Sequence, residues 1–234
     1  MKEGIGIVTG ELASPKNALY VLVLALVIAL YLFANSSFFE TDKIEWTGLA
    51  YLKPEHMDLY VNLPVTNVWR IDTRELVAYL MEHPWVETAK ATWRWPNHVL
   101  VTVTERTPLA QTSSAGGWVL LDQDGGILPP LEVGVVYALP IVTNLDLASH
   151  EQLVATARLI GMIPASLRES ISEWNVASRS FVTRDGVEIL MGQPVDLEEK
   201  FILLQQILED LNRRREHARR IDLRVPKSPV ISYL

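Results

Sequence analysis

The chain has 234 residues, 49% of them hydrophobic and 21% charged, with a formal net charge of −7. That balance is enough to bury a core, so it excludes a disordered tail, and the negative charge excludes a protein built to neutralise phosphate backbones with clustered Lys and Arg. Cysteine is absent, which excludes disulfides, thiolate zinc sites and thiol nucleophiles together.

The first element is an apolar run from Ala18 to Ala34 that stays uncharged as far as Phe39, before Glu40 closes it. At about 1.5 Å per residue the uncharged run covers ~33 Å, enough to cross a ~30 Å hydrocarbon core. Pro15 precedes it, and Tyr20 and Tyr31 lie near its ends, where rings with one polar tip favour the interface. A secretory signal usually has an apolar core of about 7–15 residues behind a basic segment. Here the run is longer and is preceded by Lys2 and Lys16, although Ala34-Asn35-Ser36 also reads as a poor cleavage site. Charge counting leaves orientation open, because Glu3 and Glu11 balance those lysines and Lys43 and Lys53 follow the run. The short leading segment places the N-terminus in the cytoplasm and the long remainder outside it.

Residues 43–47 alternate and Gly48 closes them, which predicts a strand and a turn. Pro54 opens a short helix to about Leu63. Asp72 with Glu75 forms a capping box for a second helix carrying Leu76, Tyr79, Leu80 and His83, and Pro84 stops it. Val86–Trp93 and Val99–Glu105 are two extended segments around a Pro96-Asn97 turn, a hairpin. The order is strand, helix, helix, strand, strand, with both helices on one face of three strands.

Several pieces of this stretch recur in order in a known family. Phe39, then Ile44-Glu45-Trp46-Thr47-Gly48, Val68-Trp69-Arg70-Ile71-Asp72, His83-Pro84-Trp85-Val86-Glu87-Thr88-Ala89, Arg94-Trp95-Pro96-Asn97 and Thr104-Glu105-Arg106-Thr107-Pro108 follow a single apolar span. Together they resemble the POTRA domain of the bacterial division proteins FtsQ and DivIB.

Beyond it, the Ser/Gly-rich stretch Thr112–Gly117 reads as a separator before a strand, Trp118–Leu121, and a turn, Asp122-Gln123-Asp124-Gly125-Gly126. Asp-x-Asp-Gly is also a fragment of a calcium loop, but the remaining ligands and the closing Glu are missing, so a hairpin turn is the better reading. Ser149 with Gln152 marks a surface helix to about Gly161, and Phe181–Thr183 and Val187–Leu190 flank an Asp185-Gly186 hairpin turn. The longest remaining helix takes Asp196 as cap, with Leu197, Phe201, Leu204, Leu208 and Leu211 in one apolar stripe that covers a sheet. Arg213, Arg214, Arg215, Arg219 and Arg220 suit its C-terminal dipole and can pair with Glu209 and Asp210; the rival reading is a patch for acidic lipid or an acidic partner. Ile221–Val225 and Val230–Leu234 read as two strands separated by Pro226 and Pro229, which favour a sheet edge.

Gly186-Val187-Glu188-Ile189, Gly192, Lys200 with the leucines after it, and Ile221-Asp222-Leu223-Arg224 resemble the second, β-rich domain of the same family. The expected organisation is α+β: a cytoplasmic tail (1–17), a transmembrane helix (18–38), a POTRA domain of β-α-α-β-β order (39–106) and an FtsQ-type β domain with flanking helices (107–234). The tail is shorter and less basic than the family pattern. The resemblance implies a non-enzymatic, single-pass scaffold of the division septum. It also implies that FtsB, also called DivIC, docks alongside FtsL on Val225, Lys227, Val230, Ile231, Ser232, Tyr233 and Leu234.

Chemistry is not written in the motifs. His56, His83, His98, His150 and His217 are scattered outside His-Glu-x-x-His spacing, and Gly-x-Ser-x-Gly, Ser-x-x-Lys and phosphate-binding glycine patterns are missing. No catalytic residue, metal, cofactor or small-molecule substrate is expected, and no nucleic acid. The rival functions are a POTRA-bearing secretion or outer-membrane assembly component, which would need a train of ~10-residue barrel strands, and a membrane-anchored hydrolase.

Overall fold

The structure is a computed structural model that describes residues 15–41, 43–132 and 137–233. It divides into two compact units. The first holds the described residues up to 47 with 54–79 and 90–102, and the second holds 48–53, 80–89 and the described residues from 103 on.

In the first unit, helix α1 (Pro15–Ala34) is 20 residues long, about 30 Å at helical rise. Its segment Asn17–Ala34 has a mean hydropathy of 2.4 and is wholly unburied, as a span should be. It ends at Ala34, four residues short of the end of the segment 18–38 expected to cross the membrane. Side chains take its last carbonyls: Asn35 Nδ2 donates to the Tyr31 carbonyl at 2.9 Å and Ser36 Oγ to that of Phe33 at 2.7 Å, which favours chain exit. Ser37–Phe39 then form a 3-10 turn that buries Phe39. Phe39, the last residue of the uncharged run and the first of the expected POTRA domain, is thus a core residue.

Strands β1 (Glu40–Thr41) and β2 (Ile44–Thr47) follow, then α2 (Pro54–Val61), β3 (Thr66–Asn67), α3 (Thr73–Leu80), β4 (Val86–Arg94) and β5 (His98–Glu105). The sheet order is β2-β5-β4, with β2 parallel to β5 and Trp46 opposite Val101. This is the expected β-α-α-β-β order, supplemented by a two-residue β1–β3 ladder that is too short to leave a periodic signal. Asp72 Oδ1 caps α3 as predicted, accepting from the Arg74 and Glu75 N–H groups. The helix stops at Leu80 rather than carrying through His83, whose N–H closes a turn onto the Leu80 carbonyl.

In the second unit, Gly48 sits at φ +84, and a Cβ there would lie 2.1 Å from the Val103 carbonyl oxygen, so glycine is required. Glu105 collects the N–H groups of Ala50, Tyr51 and Leu52 at 3.0, 2.7 and 2.9 Å. Trp85 is buried, and its Nε1 donates to the Pro129 carbonyl at 2.9 Å.

The main sheet is built from β6 (Pro108–Ser114), β7 (Gly117–Asp122), β8 (Ile127–Leu128), β9 (Ile141–Thr143), β10 (Ile171–Asn175), β11 (Ser180–Thr183), β12 (Glu188–Leu190), β13 (Ala218–Asp222) and β14 (Val230–Tyr233). Thr112–Gly117, expected to separate two domains, is instead the end of β6, a tight turn and the start of β7. Ser114 faces Gly117, and Thr112 is buried opposite Val119. Asp122 is fully buried; it accepts from the Arg106 guanidinium at 2.8 Å and from the N–H groups of Asp124 and Gly126. It is thereby committed to a turn, as the hairpin reading holds.

Helices α4 (His150–Gly161) and α6 (Leu197–Arg214), with the short α5 (Ala165–Arg168), supply the apolar cover of the sheet. Ser149 caps α4 by accepting from the Gln152 N–H. Asp196 precedes α6 but lies in the left-handed region and makes no side-chain cap. The first turn of α6 is anchored by Lys200, whose Nζ donates to the Met191 and Gln193 carbonyls at 2.8 and 2.9 Å. Arg215, at φ 57, ends α6, so Arg219 and Arg220 belong to β13 and not to the helix end. Arg214 pairs with Asp210 at 2.9 Å as expected, whereas Glu209 accepts from Gln205.

Candidate functional site: the β14 margin

The strand order is β14-β13-β12-β11-β10-β9-β6-β7-β8. Among the described residues the sheet therefore ends at two margins, and β8 spans two residues where β14 spans four. Successive strands line up side chains of one face. Val142, Trp174, Phe181, Ile189, Ile221 and Ile231 stand opposite one another from β9 to β14. The first five are at most 5% exposed, and Ile231 is half-buried. The apolar row thus runs to the sheet margin and stops incompletely covered.

The other face carries Glu173, Val182, Glu188, Arg220 and Ser232 in register. Glu188 pairs with Arg220 at 2.7 Å, and Glu173 accepts from Thr143. This alternation of apolar and polar rows is that of a sheet with one packed and one solvated face.

A hairpin delivers β14 to the margin. Asp222 accepts from the Arg224 N–H and from its guanidinium. That hydrogen bonding by Arg224 is the main reason the Asp222 carboxyl lies below its ordinary range, against an opposing effect of burial. The Leu223 N–H donates to the Leu190 carbonyl, and the Ser228 N–H closes a turn onto Val225 that holds Pro226 and Lys227. β14 then pairs antiparallel with β13, Val230 opposite Asp222 and Tyr233 opposite Ala218, with a register shift between Ala218 and Arg220.

Val225, Lys227, Val230, Ser232 and Tyr233 are exposed here, and Ile231 faces the core. The seven residues singled out by sequence thus fall on one hairpin, except that Leu234 lies outside the described residues. In an antiparallel ladder alternate residues direct N–H and C=O outward, so β14 offers unpaired backbone groups beside an unfinished apolar row. Sequence reasoning missed that row, because β9 and β10 carry no turn signals and β9 pairs with β6 and with β10 across long sequence gaps. Among the described residues no three His, Asp or Glu side chains gather as a metal site.

A family model described as the FtsQ-type POTRA domain matches residues 41–106, and one described as the C-terminal part of cell division protein FtsQ/DivIB matches residues 110–224. The β14 hairpin beyond Arg224 lies past that second match. Cell division protein FtsQ of Myxococcus fulvus is 30% identical over 190 residues, which are 75% of this chain and 66% of that one. That of Anaeromyxobacter is 30% identical over 199 residues (79% and 67%), and that of Chloroflexus aggregans 28% over 194 (78% and 71%). The major extracytoplasmic domain of the trans isomer of DivIB from Geobacillus stearothermophilus aligns with 36% of this chain and 76% of its own length, at 14% identity and a TM-score of 0.30. With two such models in succession and relatives at this identity over this length, the chain belongs to the FtsQ/DivIB family of bacterial cell-division proteins.

Proposed function

We propose that this chain is a non-enzymatic scaffold of the division machinery, anchored by α1 with its folded units outside the cytoplasm, and that it recruits a partner by accepting a strand along β14. The partner is of the FtsB/DivIC type, docking alongside FtsL at the septum. Val225, Lys227, Val230, Ile231, Ser232, Tyr233 and Leu234 would form the contact. The observation that carries the reading is the unpaired β14 margin at the end of an apolar row: an added strand gains main-chain hydrogen bonds and side-chain cover in one step. Membership of a division family and an apolar N-terminal helix support the setting.

The test is a fluorescently tagged chain in cells depleted of their own copy, with and without residues 230–234. The intact chain is expected to gather at midcell and bring the partner with it, and the truncated chain to gather without the partner. A chain that never reaches midcell, or a truncation that still recruits, defeats the proposal. A reporter fused after Leu234 that faces the cytosol defeats the orientation.

A further inference from the structure

The first unit carries a connected chain of aromatic rings that starts on α1. Phe33, in the last turn of α1, stacks on Phe38 at a centroid distance of 6.2 Å and meets Phe39 edge-on at 5.3 Å. Phe39 touches Trp69 and Trp95, each at 5.7 Å. Trp69 in turn touches Trp95 at 4.9 Å and Trp93 at 6.0 Å. Packing accounts for Phe39, which is 3% exposed, but Phe38, Trp69, Trp93 and Trp95 are 56%, 41%, 49% and 68% exposed. A contiguous aromatic surface of this kind marks a place that meets something other than water.

We propose that this surface rests in the headgroup layer of the bilayer that α1 crosses, seating the first unit on the membrane. The inference rests on α1 being the span. Helix α1 has 20 residues and so fills a ~30 Å hydrocarbon core, which puts its last turn at the boundary of a headgroup layer about 5–7 Å deep on each side. Phe33 stands at that boundary, and Trp69 and Trp95 are two ring contacts from it. Indoles with an apolar body and one N–H are the side chains that concentrate in this layer.

The connection to α1 is short and braced. Asn67 Nδ2 donates to the Ala34 carbonyl at 2.7 Å, Arg70 Nη2 donates to Asn35 Oδ1 at 3.3 Å, and the β1–β3 ladder follows at once. These bonds hold the rings beside the end of the span. Exposed Arg70, bonded among the described residues only to the neutral Asn35 amide, adds a cationic group suited to anionic headgroups, while Arg94 is neutralised by Glu45. A protein partner or a second copy could cover the same rings, but continuity with the end of the span makes lipid the occupant.

The test uses the full chain at one copy per nanodisc of phosphatidylcholine and phosphatidylglycerol, with lipid brominated near the top of its acyl chains. The difference in emission between the chain and its W93F/W95F variant isolates Trp93 and Trp95, and phenylalanine keeps a ring at each site so that the fold is retained. Brominated lipid is expected to remove most of that difference emission, and acrylamide to reach it poorly. Indoles that bromine leaves untouched overturn the inference, whether acrylamide reaches them or a protein surface shields them. Alkaline extraction of sedimentable vesicles made from the same lipids and chain separates the two readings. A chain that washes off defeats the span and this inference with it, whereas a retained chain with unquenched indoles defeats this inference alone.

Discussion

Tyr233→Ala is the sharpest probe of the β14 margin. Tyr233 lies opposite Ala218 on the same face as Ile231, and 53% of it remains exposed. An aromatic side chain buries roughly 150–250 Å², so about 100 Å² is left to cover; at ~25 cal/mol per Å² this is ~2–3 kcal/mol, or a ~30–150-fold loss of affinity. Because that area is open in the free chain, folding should lose far less. The assay is calorimetric titration of the detergent-solubilised chain with the soluble segment of the FtsB/DivIC-type partner, with chemical denaturation run in parallel. Gln123→Ala is the control: it is exposed in the turn between β7 and β8, at the opposite margin of the sheet, and should change affinity by less than about 0.5 kcal/mol. Unchanged affinity in Tyr233→Ala, with the fold intact, refutes strand addition at this margin. A denaturation midpoint that falls as far as the affinity would instead make Tyr233 a core residue.

Three further predictions concern what holds the second unit together. Glu105→Ala strips the acceptor from three N–H groups, among them that of buried Leu52; it should cost about 3–5 kcal/mol in chemical denaturation, with Glu105→Gln intermediate, and a loss below 1 kcal/mol would show that water replaces the carboxylate. Lys200→Met keeps the apolar stem but leaves the Met191 and Gln193 carbonyls without their donor, so ~2–4 kcal/mol is expected to go; equal stability would mean the fully buried ammonium gives no net support. Burial lowers the His83 imidazole below its ordinary 6.5, with Glu105 acting the other way. The unfolded chain then binds more protons in that window, and stability is full above pH 6.5 and declines as pH falls toward the folded value. His83→Asn should flatten this stretch of the stability–pH curve, and an unchanged slope would assign it to other groups.

The first unit was legible because its signals are local. The Asp72 cap, the Pro96-Asn97 turn and the alternation of β2 each act within a few residues, and each element formed where they stand. The second unit was legible where hairpins are local, as at Asp185-Gly186, and opaque where strands pair across long sequence gaps. Strand β9 is three residues long and joins β6 and β10 in parallel, a pairing that no periodicity of three residues can announce. Composition also misled at Thr112–Gly117, because Ser and Gly suit both a linker and a tight turn, and the buried neighbours that decide between them are non-local. Within the candidate site, the prolines at 226 and 229 marked a margin, but the row of side chains that ends at Ile231 exists only once five other strands are in register.

An unpaired strand beside an unfinished apolar row is also a hazard, since any exposed β segment could add to it. The molecule restrains this margin without closing it. Strand β14 is four residues long, it is preceded by Pro226 and Pro229, and Lys227 is exposed in the turn before it. The register shift between Ala218 and Arg220 distorts the ladder toward the Tyr233 end, and a bulge there increases twist. A long flat strand from an arbitrary chain would meet these features as mismatch, whereas a short partner strand that places an apolar residue beside Ile231 and packs on Tyr233 would not. Selectivity at this margin would then come from side-chain cover at two positions, with the backbone bonds common to all comers. Hence Ile231→Ser should raise non-specific capture relative to partner binding, measured as the ratio of affinities for the partner segment and for a scrambled peptide of the same composition. An undiminished ratio would place selectivity in the Val225–Pro229 turn instead.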